Sequence, residues 1–510
     1  MRPPRWLLKI ASAHFERRRA RQHRDPRGVQ EALLRRCLLL YRDTELGKAL
    51  RLQEVRSPDE YARSFPARTE ADYKPHWQRA KAENRPGLVH PRRLKYMASS
   101  SGTSGDGDKN LPCPPELLAT YQRFTNHALF HAMRILDDHS LLEGKCLVTA
   151  APPVKEVTPN GITVGFSSGI ATLEASRLAR EWIRPGRATL DVTDWRERIE
   201  RTVDEAFDLD VRVLTGVPVC VVPLLEAVLA RAARRGQRAT CVRDVWPNLR
   251  LYLFSGTPLL LYRERIRGLL GEGVEFFEAY SSTESPFAFQ HRFGSSDLVV
   301  DLETCYLEFE PLGAEPGAPR LRLHETRAGA IYRLVVTTMG GLFAYRMGDL
   351  VEITATAPEF LLTFAGREVE EISVGAEHMT ARQAGAALDA ACAEVGVRAG
   401  PWFVCPVERQ GRLGHEWGVE LGQPIDPAAL AGAIDRQLVA RNKTYGTVRG
   451  GEMLAPPLVS VLAPGSIERW LLEHGRYGQS KVLQLYGTRD VPDRILAFAR
   501  AQGPRAAAGG

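Results

Sequence analysis

The chain has 510 residues, more than one hydrophobic core serves, so at least two domains are expected. Hydrophobic residues make up 44% and charged residues 25%, the balance of an ordinary soluble globular protein. The net charge of +7 is concentrated at the start: residues 1–43 carry twelve Lys/Arg against four Asp/Glu, which leaves the body near neutral and argues against a nucleic-acid-binding protein as a whole.

In chain order, residues 1–27 read as a basic arm. "ERRRARQHRDPR" has the charge to touch RNA or an anionic membrane, and as a charge run it is expected to be a solvated face. "WLLKIASA" is broken by Lys9 and followed by arginines, so no export signal is expected there. Residues 28–50 place Val29, Leu33, Leu34, Cys37, Leu38 and Tyr41 at helical spacing. "PARTEADYKPHW" reads as a loop, then a helix beginning at Thr69 with Glu70 and Asp72 in its first turn. "YMASSSGTSGDGDKNLP" (96–112) is a Ser/Gly loop between a strand and a long helix that opens after Pro114.

Between 145 and 285, strands ("KCLVTAAP", "VRVLTGVP", "LRLYLFSGTP", "VEFFEAYSSTES") alternate with helices, the pattern of parallel βαβ units in a doubly wound sheet. From about 298 the strands look antiparallel, a β-rich subdomain beside the α/β core. The stretch from about 370 to 500 reads as a small α+β domain, and "AQGPRAAAGG" as a disordered tail. The divisions expected are 1–27 arm, 28–366 large domain, 367–499 small domain and 500–510 tail. The eight cysteines are scattered without CxxC, which fits reduced thiols in a cytoplasm and neither a disulfide framework nor a zinc site. No apolar stretch has the length to span a bilayer.

Three polar turns carry the chemistry. In 99–109, glycines let several N–H groups converge and hydroxyls add donors, a nest for a polyanion with Lys109 at its end. It is not a Walker A motif, since Asn110 follows the lysine, and on its own such a loop reads equally as a surface linker. "YSSTES" (280–285) and "FSGTP" (254–258) end apolar strands, where open α/β sheets bind ligands. There Tyr280 suits a base, Thr283 a phosphate and Glu284 a Mg²⁺ ion, while a plain solvated turn fits as well. In "YRMGDLVEI" (345–353), Asp349 after Gly348 suits the vicinal hydroxyls of ribose or, equally, a Gly-Asp β-turn.

In this order "SSSGTSGDGDK", "SGTP…YSSTE" and "VVTTMGGLFAYRMGDLVEI" resemble the nucleotide motifs of adenylate-forming ligases. Within that superfamily the chain is most similar to the auxin-responsive acyl acid amido synthetases, in a short, bacterial-like form. YRMGD is the amido-synthetase form of a motif that acyl-CoA synthetases end in TGD, and "FPARTEADYKPHW" and "GQSKV" resemble family segments as well. YSSTE departs from the YASSE of the plant members, and "GREVEEISVGAEHMT" is only loosely similar to the family's hinge.

The resemblance implies a large N-terminal α/β domain that binds ATP and the acyl group, and a small mobile α+β C-terminal domain. It implies that ATP and a carboxylic acid give acyl-AMP and pyrophosphate, which an amine, expected to be an amino acid, then attacks. On this reading Ser100, Ser101, Gly102, Thr103, Ser104 and Lys109 bind phosphates, and Ser255, Gly256 and Thr257 line the adenine. Tyr280, Ser281 and Ser282 frame the adenosine, Thr283 meets the α-phosphate, Glu284 holds Mg²⁺, Asp349 holds ribose and Lys481 comes from the small domain. Arg123, with Arg134 as the other candidate, would guide the acyl carboxylate, and Val217 and Phe166 would line the acyl pocket. An acyl- or aryl-CoA ligase sharing the first half-reaction and a silent nucleotide-binding homologue are the alternatives.

Overall fold

The strand–helix alternation after residue 145 is realised as a parallel run of five strands, because the centres of the longer strands are apolar and helices cover the sheet. The computed structural model describes residues 4–100, 109–256, 259, 262–314, 318–368, 371–372, 374, 377, 379–409, 412–450, 454–474 and 483–502. The chain divides into two compact units, the first Met1–Met347 with Glu352–Thr363, the second Gly348–Val351 with Phe364–Gly510.

Two helices open the chain, α1 (Arg5–Arg24) and α2 (Pro26–Tyr41). The strands up to residue 367 are β1 Tyr96–Ser100, β2 Lys109–Pro112, β3 Lys145–Thr149, β4 Glu156–Val157, β5 Thr163–Phe166, β6 Ile183–Arg184, β7 Val211–Gly216, β8 Leu251–Phe254, β9 Glu275–Ser281, β10 Pro286–Gln290, β11 Leu298–Val300, β12 Cys305–Pro311, β13 Leu321–Arg322, β14 Ala330–Thr338, β15 Tyr345–Ala355 and β16 Leu361–Arg367. Twelve of them form one sheet, in the order β13-β12-β14-β15-β16-β11-β10-β9-β8-β7-β3-β6. Its β6-β3-β7-β8-β9 stretch is parallel, whereas β9-β10-β11-β16 is antiparallel; the change expected near 298 already begins at β10, whose residues 286–290 fold back on β9. A smaller sheet runs β2-β1-β5-β4.

Aliphatic residues of the Pro218–Arg234 helix (Val221, Leu225, Val228) pack on Leu214 and Tyr252 of the large sheet, and Trp246 closes the same core. The helix Glu70–Glu83 starts where the sequence places it: Thr69 is the N-cap and its backbone N–H is answered by the Asp72 carboxylate at 2.7 Å. The residues "EASRLAREWI" (174–183) form the helix Arg177–Trp182, capped by the Ser176 hydroxyl, and a separate short helix, Ser167–Leu173, precedes it. In the second unit, strands Ala399–Arg409, Arg412–Leu421 and Leu458–Leu462 form a three-stranded sheet that packs the helices Ala381–Val395 and Pro427–Arg441 around Trp417 and Leu388. No helix among the described residues is long and apolar enough to cross a membrane.

The basic arm is not simply a solvated charge run. Helix α1 buries Leu8, Ser12, Phe15, Arg19 and His23 along one face. Phe15 stacks on His127 of the Pro115–Leu136 helix at 4.4 Å, and Arg19 bonds His131 at 2.7 Å and Glu359 at 2.8 Å. His23 is held neutral: its Nδ1 accepts the Phe360 backbone N–H at 3.0 Å, and burial lowers its pKa from the ordinary 6.5. The folded value lies below the unfolded one, so this contribution to stability is fully present above pH 6.5 and is lost as pH falls below it. The melting temperature should therefore drop between pH 7.5 and pH 5. His23→Asn, which keeps an acceptor for the Phe360 amide and cannot charge, should show a smaller drop; equal drops in both proteins would contradict this account.

Candidate functional site

The Ser/Gly loop is carried on a hairpin. β1 and β2 pair antiparallel with Ser100 opposite Lys109, and β1 pairs parallel with β5, setting Ser99 beside Phe166. Pairing of only four residues, Lys109–Pro112, is enough to turn the expected strand–loop–helix into strand–loop–strand before the helix begins at Pro115. Ser101, Gly102, Thr103 and Ser104 lie outside the described residues, as do Thr257 and Lys481; for Ser100 the backbone pairing alone is described.

Lys109 is the centre of the arrangement. Its ammonium donates to Glu284 Oε1 at 2.6 Å and to the Tyr345 hydroxyl at 2.6 Å. Its Nζ lies 4.8 Å from the Tyr345 ring centroid and 5.9 Å from that of Trp77. Tyr73 stacks on Trp77 and meets Tyr345 edge-on, completing an aromatic wall. The lysine and glutamate side chains are only 9% and 10% exposed, so this pair is shielded from solvent.

Burial disfavours both charges, yet each stabilises the other. Against burial, Glu284 and Tyr345 hold the lysine above its ordinary pKa, while Lys109 and the Ser282 hydroxyl hold the Glu284 carboxyl below the usual value. Burial, with Glu284 adding to it, pushes the Tyr345 phenol up to about 12. The carboxylate and the ammonium are thus both charged at neutral pH.

The polar turn after β9 is shaped by its own hydrogen bonds. The Ser282 N–H donates to the Ser285 carbonyl at 2.9 Å, the Glu284 N–H donates to Ser282 Oγ at 3.2 Å, and the Tyr121 hydroxyl donates to the Ser282 carbonyl. Tyr280, Ser281, Ser282 and Thr283 are half-buried there, with the Tyr280 ring against Phe287 at 4.8 Å. Motif three is clamped from outside. The backbone of Arg68 pairs across to Ala344 and Arg346, each at 2.8 Å, and Ala344 takes a left-handed φ of 44° directly before Tyr345. "FPARTEADYKPHW" and "YRMGD", far apart in sequence, thereby build one wall around Lys109.

Neighbouring strand ends bring Val217 and Gly256 together: Gly256 has φ 83°, and a Cβ there would lie 3.6 Å from the Val217 side chain. Ser255 precedes it, half-buried, at the end of β8. Phe166 is elsewhere, at the loop's stem on the smaller sheet, where Lys155 Nζ lies 5.3 Å from its ring and 3.5 Å from Ser99 Oγ. Arg123 is half-buried; it touches Thr120 Oγ1 at 3.4 Å, and its Nε is buried without a hydrogen-bond partner among the described residues. Arg134 is exposed. Asp349 is not in a β-turn: it lies within β15, after Gly348 at φ 75°, and within the second unit its carboxylate accepts from Arg367 Nε at 3.0 Å.

The groups that sequence reasoning left without a role are Tyr73, Trp77, Tyr121, Lys155 and Tyr345. Tyr73, Trp77 and Tyr345 stand inside segments quoted for the resemblance, but a buried aromatic residue in a sequence looks the same whether it fills a core or lines a cation. Lys155 follows β3 in an exposed loop and carries no local signal.

Comparison with known proteins places these features in a lineage. Residues 17–199 match the GH3 family N-terminal domain and residues 298–367 the GH3 family central domain. A probable indole-3-acetic acid-amido synthetase, GH3.1 of Arabidopsis thaliana, is 27% identical over 146 residues, which are 27% of this chain and 24% of that protein; the matched stretch is about a quarter of the relative's length. The solved GH3.15 acyl acid amido synthetase in complex with 2,4-DB is similar over 92% of this chain and 93% of its own, with a TM-score of 0.76 at 16% identity. An open conformation of 2-hydroxyisobutyryl-CoA ligase is similar over 90% of each chain, with a TM-score of 0.53 at 15% identity. The fold is that of the adenylate-forming ligases, and the chain, carrying the N-terminal and central domains of the GH3 family, belongs to that family.

Proposed function

We propose that the protein is an ATP-dependent acyl acid amido synthetase, which adenylates a carboxylic acid and transfers the acyl group to an amine, an amino acid by preference. The observation that carries this reading is the meeting of Lys109, Glu284 and Tyr345, one residue from each of three motifs, in a single buried cluster. Three turns that only happened to resemble nucleotide motifs would have no reason to converge.

In the first half-reaction an oxygen of the substrate carboxylate attacks the α-phosphorus of ATP, and the bond to the β-phosphate bridging oxygen breaks, releasing pyrophosphate. Charge accumulates on phosphate oxygens, so the protein's task is to position and neutralise. Lys109 turns from Glu284 toward those oxygens, with the Ser100–Ser104 backbone and hydroxyls as further donors. The freed Glu284 carboxylate, with the hydroxyls of Ser282 and Thr283 nearby in sequence, is a hard-oxygen donor set that fits Mg²⁺. When bound, that ion neutralises the phosphates. Tyr280 and Ser281 frame the adenosine together with Ser255, Gly256 and Thr257, and Asp349 takes the ribose hydroxyls.

Arg123, whose Nε has no hydrogen-bond partner among the described residues, guides the substrate carboxylate, and Val217 and Phe166 line the acyl side. In the second half-reaction the amine nitrogen attacks the acyl carbon, AMP leaves, and the nitrogen loses a proton. The proposed division of labour gives 28–366 the ATP and acyl sites and 367–499 the lid that brings Lys481, with 1–27 and 500–510 flanking. A cytoplasmic setting is proposed with it, supported by eight free cysteines of which seven are buried.

The test is product analysis. Purified protein given ATP, Mg²⁺ and a panel of carboxylic acids should release pyrophosphate with at least one acid. With amino acids added, mass spectrometry should find an amide, and with coenzyme A no thioester. An acyl-CoA product with no amide from any of the twenty amino acids would move the protein to the CoA ligases. No pyrophosphate release with any acid would favour a silent nucleotide-binding homologue.

A further inference from the structure

Helix α1 presents two contrasting faces. The inner one, Leu8, Ser12, Phe15, Arg19 and His23, is spent on the Pro115–Leu136 helix and its surroundings, where Ser12 Oγ lies 2.9 Å from His139 Nε2. The outer face begins with Trp6 at 65% exposure and Ile10 at 58%, flanked by Leu7 at 43%, which puts three large apolar side chains in solvent within five positions. Further along it come Arg17, Arg21 and Arg24, all exposed. At 3.6 residues per turn Trp6, Ile10, Arg17, Arg21 and Arg24 fall within an arc of about 60°, directly opposite the buried face. The stripe is about 27 Å long.

The arginines divide in the same way. Those on the flanks and inner face are engaged: Arg5 with Glu143, Arg18 with Glu303, and Arg19 with Glu16 and Glu359. Lys9, Arg17, Arg21 and Arg24 make no ion pair among the described residues. A helix used only for solubility would carry no tryptophan and isoleucine at the head of its charged stripe. A nucleic-acid helix would carry the arginines but has no use for the apolar trio. Both halves together suit an interface that is apolar at one depth and negative at another.

We propose that the outer face of α1 docks the protein peripherally on an anionic lipid surface, with Trp6, Leu7 and Ile10 entering the headgroup–acyl boundary and Lys9, Arg17, Arg21 and Arg24 resting on the phosphates. Tryptophan favours that boundary, and each cation near such a surface adds its own attraction. Three side chains and four cations hold weakly, so attachment is reversible and screened by salt.

Sedimentation of the full-length protein with phosphatidylcholine vesicles, with and without phosphatidylglycerol, tests this. The protein should pellet with the anionic vesicles only, and less as salt is raised. Trp6→Ser with Ile10→Ser, and separately Arg17→Glu with Arg21→Glu, should each weaken binding by about tenfold or more, with circular dichroism melts unchanged because these side chains face solvent. No binding to anionic vesicles overturns the proposal. Binding that survives Trp6→Ser with Ile10→Ser overturns it too, and points to a general polyanion surface such as RNA would use.

Discussion

Lys109→Ala should cost the fold about 3–5 kcal/mol at pH 7, the range for removing one partner from a buried ion pair. The loss is not that of a salt bridge alone. Glu284 stays behind, 8% exposed, with a carboxylate whose partner is gone. Its pKa, held down in the native protein, should rise in the variant, because burial is then opposed only by the hydrogen bonds of the turn, that of Ser282 among them. A folded pKa above the unfolded one stabilises below the unfolded value and is lost as pH rises, so the deficit should be largest at neutral pH and shrink in acid. Urea denaturation at pH 7 and pH 5 measures both points. Lys109→Met with Glu284→Gln should recover most of the stability while leaving pyrophosphate release abolished, which separates the structural role of the pair from the proposed chemical one. A deficit under about 1 kcal/mol for Lys109→Ala, the size of an exposed pair, would mean the cluster is wetter than its geometry implies.

The second large effect belongs to the other end of the chain. Lys481→Ala should reduce acid-dependent ATP–pyrophosphate exchange by about two to three orders of magnitude, the usual consequence of losing a charge donor to a transition state. The argument is electrostatic. Lys109 reaches the phosphates only by giving up Glu284, and it is a single cation against several phosphate charges, so one further cation at the α-phosphate has a large effect. The variant should still transfer the acyl group from chemically made acyl-AMP to an amino acid, since that step breaks the bond at the acyl carbon, not at phosphorus, and places one new negative charge on AMP alone. Exchange that survives while amide formation fails would assign Lys481 to the second half-reaction.

Local signals carried far in some places and failed in others, for identifiable reasons. The parallel strands at 145–149, 211–216, 251–254 and 275–281 stand out because each is a short apolar run closed by Gly, Pro or Ser, and Thr69 stands out because its Asp72 completes a capping box. The hairpin that carries the Ser/Gly loop does not, because four residues ending in Pro112 show no periodicity and their partner is chosen by pairing, not propensity. Gly348-Asp349 looks like a turn, and its glycine does take a left-handed conformation, but the pairing of β15 with β14 and β16 absorbs the kink inside a strand. The buried face of α1 is masked by its own composition, since Ser12, Arg19 and His23 are three of its five buried residues. The aromatic wall around Lys109 is a tertiary event: Trp77, Tyr345 and Tyr73 become one surface only after residues 68 and 345 pair.

The boundary between the two units has an implication for how such proteins can be recombined. The chain passes from one unit to the other three times, after Met347, after Val351 and after Thr363. No single splice therefore exchanges one unit for that of a relative. A chimaera joined at 363/364 would take Asp349 from one parent and Arg367 from the other, and would work only where both parents had kept that ion pair. Gene fusion or shuffling at this joint is thus constrained by one carboxylate and one guanidinium, and a functional crossover is more readily placed ahead of Gly348, so that both charges travel together.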